Sequence, residues 1–192
     1  MENDMADLNV ISICGSLRKG SFNRMLMNSL PPLAPGGMKI KEAPSFAGFP
    51  LYNADIQNST GFPAPVNVLA DAIRSADGVI IVTPEYNFST PGGLKNALDW
   101  VSRLPNQPFA GKLIALQSAS PGPLGGGRVQ YDLRKTFVFL DALTLNKPEI
   151  FVGNFASKFD EKTGEIKDDA TRNFIKQQLE SFAKFIEKFG KK

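Results

Sequence analysis

The sequence predicts an α/β fold: a three-layer sandwich with a five-stranded parallel sheet in order 2-1-3-4-5 and helices on both faces. Short apolar runs alternate with amphipathic stretches along most of the chain, the pattern of parallel strands joined by crossover helices. The second strand candidate, "MKIKEA", is the least apolar of the set and suits a sheet edge, which together with right-handed crossovers gives the strand order. The three loops richest in Gly, Pro and Ser follow the first, third and fourth strands. In such a sheet these are the loops at the carboxyl edge, where ligands bind beside the switch point between strands 1 and 3.

In order, Asn9–Cys14 reads as a strand buried on both faces, and Ser21–Leu30 as a helix. Met38–Ala43 is the edge strand, followed by a loop rich in Pro, Gly and Asn from Pro44 to Pro65. Val66, Leu69, Ala70 and Ile73 space a helical face over Val66–Ala76. "GVIIVT" (Gly78–Thr83) is the most strand-like segment, "PEYNFSTPGG" a loop, and Leu94–Arg103 a helix whose buried face carries Leu94, Ala97, Trp100 and Val101. Lys112–Ser118 is a strand, Ala119–Gly127 a loop, Arg128–Leu140 a helix and Lys147–Val152 the last strand. In Asp169–Phe189, Ile175, Leu179, Phe182, Ile186 and Phe189 form one helical face, ended by Gly190. There is no internal repeat or linker, so residues 1–192 read as one domain.

Composition removes whole classes of chemistry. The chain has no His, which excludes Ser-His-Asp and Cys-His catalysis and His-based metal sites. Its one Cys, Cys14, permits neither an internal disulfide nor a Cys-rich metal centre, so no metal is expected and a reducing compartment fits. The net charge of +3 is spread along the chain and gives no support for nucleic-acid or membrane-surface binding. The polar start "MENDMADLN" has no apolar core for a secretory signal, and no run is long enough to span a bilayer, so the expected location is cytoplasmic.

The loop "GSLRKGSFNR" sets Ser16, Arg18, Ser21 and Asn23 between a strand and a helix start, where backbone N–H groups, hydroxyls and a guanidinium together suit a phosphate. Gly15-x4-Gly20 begins like a nucleotide P-loop, but Ser21 stands where Lys is required. A GxGxxG dinucleotide fingerprint is absent, and Gly20 stands six after Cys14 where a low-molecular-weight phosphatase needs Arg. The plain alternative is a polar turn with a capping Ser and solvated Arg18 and Lys19. Cys14, ending a buried strand, fits inert packing.

The second loop is more distinctive. In "VTPEYNFSTPGGLKNALDW", prolines fix the backbone on both sides of Tyr86 and Phe88, two aromatic rings with no obvious core to enter. They suit a flat π-rich ligand, and the N–H groups of Tyr86, Asn87 and Phe88 are candidate donors to its acceptors. Packing of the rings on the next helix is the alternative, and Glu85 is a candidate cap or orienting group. Lys95 and Asp99 form an ordinary exposed pair.

Taken together, "GSLRKGSFNR" and "PEYNFSTPGGLKNALDW" resemble the flavodoxin-like NAD(P)H-dependent FMN reductase family, in its bacterial quinone and chromate reductase branch. The likeness extends through "PLYNAD", "GFPAPV", "SRLPNQPFAGK", "VFLDALTLNKPE" and "FDEKTGEI". It implies bound FMN, with NADPH or NADH as co-substrate, and ping-pong reduction of quinones, azo or nitro aromatics, or chromate. Ser16, Arg18, Ser21, Phe22 and Asn23 would then hold the FMN phosphate region. Pro84, Glu85, Tyr86, Asn87 and Phe88 would line the isoalloxazine, and Ser118, Ser120 and Gly122 would close the ribityl side. Pro121 and Pro123 make that third loop stiffer than the resemblance leads one to expect. With the flavin carrying the redox step, no protein group need be catalytic. Arg103, Tyr86 and Asn87 are the substrate-side candidates. The resemblance also implies a homodimer or homotetramer, with Tyr52–Asp55 as a wall lent to a neighbour and Arg128, Tyr131 and Glu149 as a polar subunit contact. The rival readings are a flavodoxin-type electron carrier, which a positive net charge disfavours, and a non-catalytic phosphate- or nucleotide-binding regulatory domain.

Overall fold

The computed structural model of the chain describes residues 7–190, so the first six residues, on which the expectation about a signal largely rests, lie outside the described residues. Five sheet positions follow the order β2-β1-β3-β4-β5, all parallel: β1 (Leu8–Cys14), β2 (Met38–Glu42), β3 (Gly78–Val82), β4 (Leu113–Ala119) and β5 (Leu143–Thr144). This is the expected flavodoxin-like sandwich.

The last strand departs from expectation. Its position is filled in two pieces. β5 pairs with Leu113 and Ile114, and β6 (Ile150–Val152) pairs with Gln117–Ala119. Pro148 has no N–H to give a ladder, so Lys147–Glu149 stays outside the strand predicted for it. Glutamines seal the interruption from both layers. Gln178 Nε2 donates to Leu116 O (3.2 Å) and Pro148 O (2.8 Å), while Gln130 Nε2 donates to Ile150 O (2.8 Å).

The helices are α1 (Phe22–Asn28), α2 (Ala54–Thr60), α3 (Ala64–Ser75), α4 (Gly92–Val101), α5 (Gly127–Phe139), α6 (Phe155–Lys158) and α7 (Asp169–Phe189). Two apolar layers form, one between the sheet and α1 with α7, the other between the sheet and α3, α4 and α5. Asp168 caps α7 by accepting from Thr171 N at 2.8 Å. Ile175, Leu179, Phe182 and Ile186 are buried as their spacing predicts, but Phe189, the last residue of α7, is half-exposed. The stretch expected to be loop from Pro44 to Pro65 contains α2, capped by Asn53 and without a buried residue, so it carries no apolar periodicity to detect.

Trp100 fixes that stretch to α4. Its indole is fully buried, meets the Tyr52 ring edge-on at 5.0 Å between centroids, and donates through Nε1 to Pro50 O at 2.8 Å. Asn96 Nδ2 donates to the same carbonyl at 2.9 Å, so Pro50 O keeps a partner if the indole N–H is lost. Trp100→Phe is therefore expected to cost about 1–3 kcal/mol, mostly lost packing, in denaturant unfolding. A cost near zero would mean that the Pro44–Pro65 stretch is not held by this residue.

Candidate functional site

The carboxyl edge of the sheet brings the three predicted loops together. Gly15 N donates to Val82 O at 2.8 Å, which ties the start of the first loop to the end of β3. The contact is so close that a Cβ on Gly15 would meet Thr83 Oγ1 at 2.2 Å and Thr83 Cβ at 2.6 Å. Ser16 and Ser21 are buried, and Ser16 Oγ accepts from Arg18 N at 3.4 Å. Among the described residues, the N–H groups of Ser16, Leu17, Lys19, Gly20, Ser21, Phe22, Asn23 and Arg24 have no protein acceptor. Eight such groups in one loop and the helix turn after it demand acceptors from outside the chain. The Arg18 guanidinium lies 5.5 Å from the Phe22 ring centroid, and Phe22 stacks in turn on Phe155 at 4.5 Å. Arg18 Nη1 also donates to Lys19 O at 3.4 Å, so the guanidinium is placed by this bond and the ring contact, with no ion pair among the described residues.

Asn23 has a different role from the one its neighbours suggest. Its side chain donates to Ala119 O (2.9 Å) and accepts from Ala119 N (2.8 Å), both buried. That amide clamps the first loop to the third, which leaves only the Asn23 backbone N–H for a ligand. Cys14 is buried, its thiol donates to Ser16 O at 3.4 Å, and burial pushes the thiol up from its usual range, consistent with packing rather than reactivity.

The second loop closes into a tight turn. Tyr86 N donates to Ser89 O (3.0 Å) and Ser89 N to Tyr86 O (2.9 Å), with Asn87 at φ 50° and Phe88 at φ 65°. Two central residues at positive φ are the mark of a type I′ turn. The Tyr86 N–H is consequently not available to a ligand, contrary to the sequence expectation, whereas those of Asn87 and Phe88 are. Both rings are exposed, Tyr86 49% and Phe88 69%, so neither enters the core, and the Arg128 guanidinium lies over Phe88 at 4.0 Å. Glu85 points away from the turn. Its carboxylate accepts from Arg128 N (2.9 Å) and Val129 N (3.3 Å) and pairs with Arg128 Nη1 at 3.0 Å, capping α5. Its side chain therefore serves the loop's position and not a ring contact. Pro84 enters the turn, its C=O accepting from Thr83 Oγ1 at 3.1 Å.

In the third loop, Ser120 Oγ and Asn154 N both donate to Gly122 O, at 3.0 and 3.1 Å, and a Cβ on Gly153 would lie 2.1 Å from Pro123 O. This loop is folded onto its own backbone. Ser118 belongs to β4, is fully buried and accepts from Gln130 Nε2 at 2.9 Å, so its hydroxyl faces the α5 layer rather than the edge.

Three more distant candidates are relocated. Arg103 follows the far end of α4, about 15 Å along a ten-residue helix from the turn, and lies over the Tyr52 ring at 5.3 Å. Within one chain it is not beside the candidate ring site. Tyr52 itself is tied to α4 by its N–H to Asn96 Oδ1 (2.8 Å), and Asn53 Oδ1 accepts from Asp55 N at 2.8 Å. Within one chain, Tyr131 Oη donates to Glu149 Oε1 at 2.8 Å, while Arg128 is engaged with Glu85 and Phe88. Two site residues escaped the sequence reading: Leu17, an exposed apolar group in the phosphate-type loop that approaches Gly93, and Asp132, which accepts from Ser89 Oγ. An Arg128–Asp132 spacing of one helical turn was the only available signal for the second. No group of three or more His, Cys, Asp or Glu side chains among the described residues is placed to hold a metal.

An anion cradle and an aromatic turn, side by side at the switch point of a flavodoxin-like sheet, define a protein that binds a phosphate-bearing flat ligand. Comparison with known proteins narrows the class. The family model for NADPH-dependent FMN reductase matches residues 8–157, and the chain belongs to that family. It is 54% identical over 181 residues to a quinone reductase of Escherichia coli, covering 94% of this chain and 96% of that one. To an NAD(P)H-dependent FMN reductase of Pseudomonas aeruginosa it is 45% identical over 180 residues, with coverage of 94% and 96%. Among solved structures, FerB, a flavoenzyme NAD(P)H:(acceptor) oxidoreductase of Paracoccus denitrificans, superposes with a TM-score of 0.85 at 33% identity, covering 96% of this chain and all of that one.

The residues present fit FMN. The cradle of uncommitted N–H groups with buried Ser16 and Ser21 matches a terminal phosphate. The two open N–H groups of the Tyr86–Ser89 turn match the acceptor edge of a flavin ring.

Proposed function

We propose that this chain is an FMN-dependent NAD(P)H oxidoreductase that reduces quinones and other small flat acceptors. One observation carries the reading: the phosphate cradle and the aromatic turn lie on adjacent loops of one sheet edge, with eight N–H groups of the first and those of Asn87 and Phe88 in the second left without protein acceptors among the described residues. When bound, FMN would supply the redox chemistry between NAD(P)H and the acceptor.

Everything else is the protein's work of placement. Ser16, Arg18, Ser21 and the N–H groups of Phe22 and Asn23 hold the phosphate end. Pro84, Tyr86, Asn87 and Phe88 orient the ring, with Glu85 acting through the loop, and Ser120 and Gly122 border the middle of the ligand. Fixed N–H donors at the ring edge favour its electron-rich reduced form and need no reorganisation during transfer. The exposed faces of Tyr86 and Phe88 leave room for a second planar molecule to stack, as a shared site for donor and acceptor requires. None of this requires imidazole or metal, in keeping with a chain that has no His.

The same reading includes a single domain working in the cytoplasm as a homodimer or homotetramer. Tyr52–Asp55 and Arg103 then reach the mouth of a neighbouring chain's site, where Arg103 would favour an anionic acceptor such as chromate. The described residues contain no helix long and apolar enough to cross a membrane.

The test is a visible spectrum of the purified protein after incubation with FMN and desalting, followed by anaerobic NADPH and then a quinone. Flavin bands that stay with the protein, bleach with NADPH and return with the quinone are expected. Bands that stay but do not bleach favour an electron carrier. A protein that keeps no flavin overturns the reading.

A further inference from the structure

The turn that presents Asn87 and Phe88 is gripped by α5 at both stems. On the entering side, Glu85 accepts from the Arg128 and Val129 backbone N–H groups and pairs with the Arg128 guanidinium at 3.0 Å. Its side chain is only 11% exposed, so the pairing is shielded from solvent on one side. On the leaving side, Ser89 Oγ donates to Asp132 Oδ2, and Lys135 pairs with the same carboxylate at 2.7 Å. Arg128 and Asp132 are four residues apart and so share one face of α5. Between the two stems, the Arg128 guanidinium covers the Phe88 ring at 4.0 Å.

This grip acts on a backbone that does not hold itself. Asn tolerates the left-handed region, but Phe88 at φ 65° is an uncommon conformation for a bulky residue, one that persists only where the surroundings over-determine it. The two reciprocal Tyr86–Ser89 bonds close the turn but do not orient it relative to the sheet. The links to α5 supply that orientation.

We propose that Arg128 and Asp132, with Glu85 between helix and turn, are positioning residues for the redox step. They fix the two open N–H groups of the turn at the flavin's acceptor edge and so set how strongly its reduced form is favoured. Arg128 acts as a brace, through its guanidinium held over the Phe88 ring at 4.0 Å and the pairing with Glu85, and its charge alone does not suffice. The proposal rests on the FMN reading above.

The experiment uses the full chain loaded with FMN, with the flavin midpoint potential measured against reference dyes beside FMN affinity and melting of the unloaded protein. Asp132→Ala and Arg128→Ala are each expected to lower the equilibrium constant for flavin reduction about tenfold, a shift of about 30 mV to more negative potential for a two-electron couple. Asp132→Asn keeps an acceptor for Ser89 and should restore the original potential, a rescue that a purely structural role in α5 would not give. Arg128→Lys keeps the charge but loses the broad guanidinium that covers the Phe88 ring, and should shift the potential as Arg128→Ala does. Ser89→Ala removes the same link from the turn's side. It should shift the potential like Asp132→Ala, and the double variant no further. Variants that retain FMN at an unchanged potential overturn the proposal and leave the functional reading standing. A wild-type potential in Arg128→Lys overturns the brace in favour of charge alone. An unmodified chain that keeps no FMN removes both.

Discussion

Gly15→Ala is expected to abolish FMN retention at micromolar concentrations. The added methyl would stand 2.2 Å from Thr83 Oγ1 and 2.6 Å from Thr83 Cβ, far inside van der Waals contact, with Leu94 Cδ2 at 3.1 Å behind it. Thr83 is fully buried and follows directly on β3, so it has no flexible tip to swing aside. The first loop must move instead, and the Gly15 N–H bond to Val82 O is the first to lengthen. Overpacking of this kind costs about 1–3 kcal/mol in stability, a loss that a domain of this size can survive. The ligand loss is larger because the moved segment carries the donors of the phosphate cradle. A shift of about 1 Å takes several hydrogen bonds out of range together. Fluorescence titration of the unloaded variant with FMN measures this, beside circular dichroism to establish that it folds. A variant that binds FMN as the wild type does would remove this loop from the phosphate site.

Asn23→Leu is expected to cost about 3 kcal/mol in denaturant unfolding of the unloaded protein. The leucine matches the amide in size but leaves Ala119 N and Ala119 O without partners in a buried setting. Each unmet backbone group costs about 1–3 kcal/mol. Asn23→Asp separates the two bonds. It can still accept from Ala119 N but sets a carboxylate against Ala119 O, so it should be no more stable than Asn23→Leu at neutral pH. FMN affinity should fall as well, since Asn23 joins the first loop to the third. A cost below about 1 kcal/mol for both variants would mean that the loops are not coupled through this amide.

These two residues, with Glu85, show where the sequence is legible and where it is not. The strand order and the three edge loops could be read in advance, because burial on both faces leaves continuous apolar runs and the carboxyl-edge rule then locates the ligand. The aromatic turn was legible for the same kind of reason: Pro84, Pro91, Gly92 and Gly93 restrict or relax the backbone locally, whatever the rest of the chain does. The helix over Ala54–Thr60 was not legible, since it buries none of its residues and is held by Asn53 and by packing around Trp100. Nor was the split of the fifth strand. Pro148 signals a break, but only the facing Gln178 and Gln130 make the broken edge tolerable by donating to its carbonyls.

The sequence by itself thus determined the fold class, the edge that carries the site, and the kind of ligand that such loops accept. These depend on periodicity, on the φ preferences of Pro and Gly, and on residue types, all of which act over short stretches of chain. The tertiary structure alone decided which polar side chains face the ligand and which are used internally. Asn23, Glu85 and Ser118 all sit in or beside ligand loops, yet their hydrogen bonds go to Ala119, to α5 and to Gln130, partners 96, 43 and 12 residues away. Arg128, 43 residues from Glu85 along the chain, becomes part of the turn for the same reason. A polar group's role is set by the nearest unmet partner in space, and local sequence carries no record of that distance.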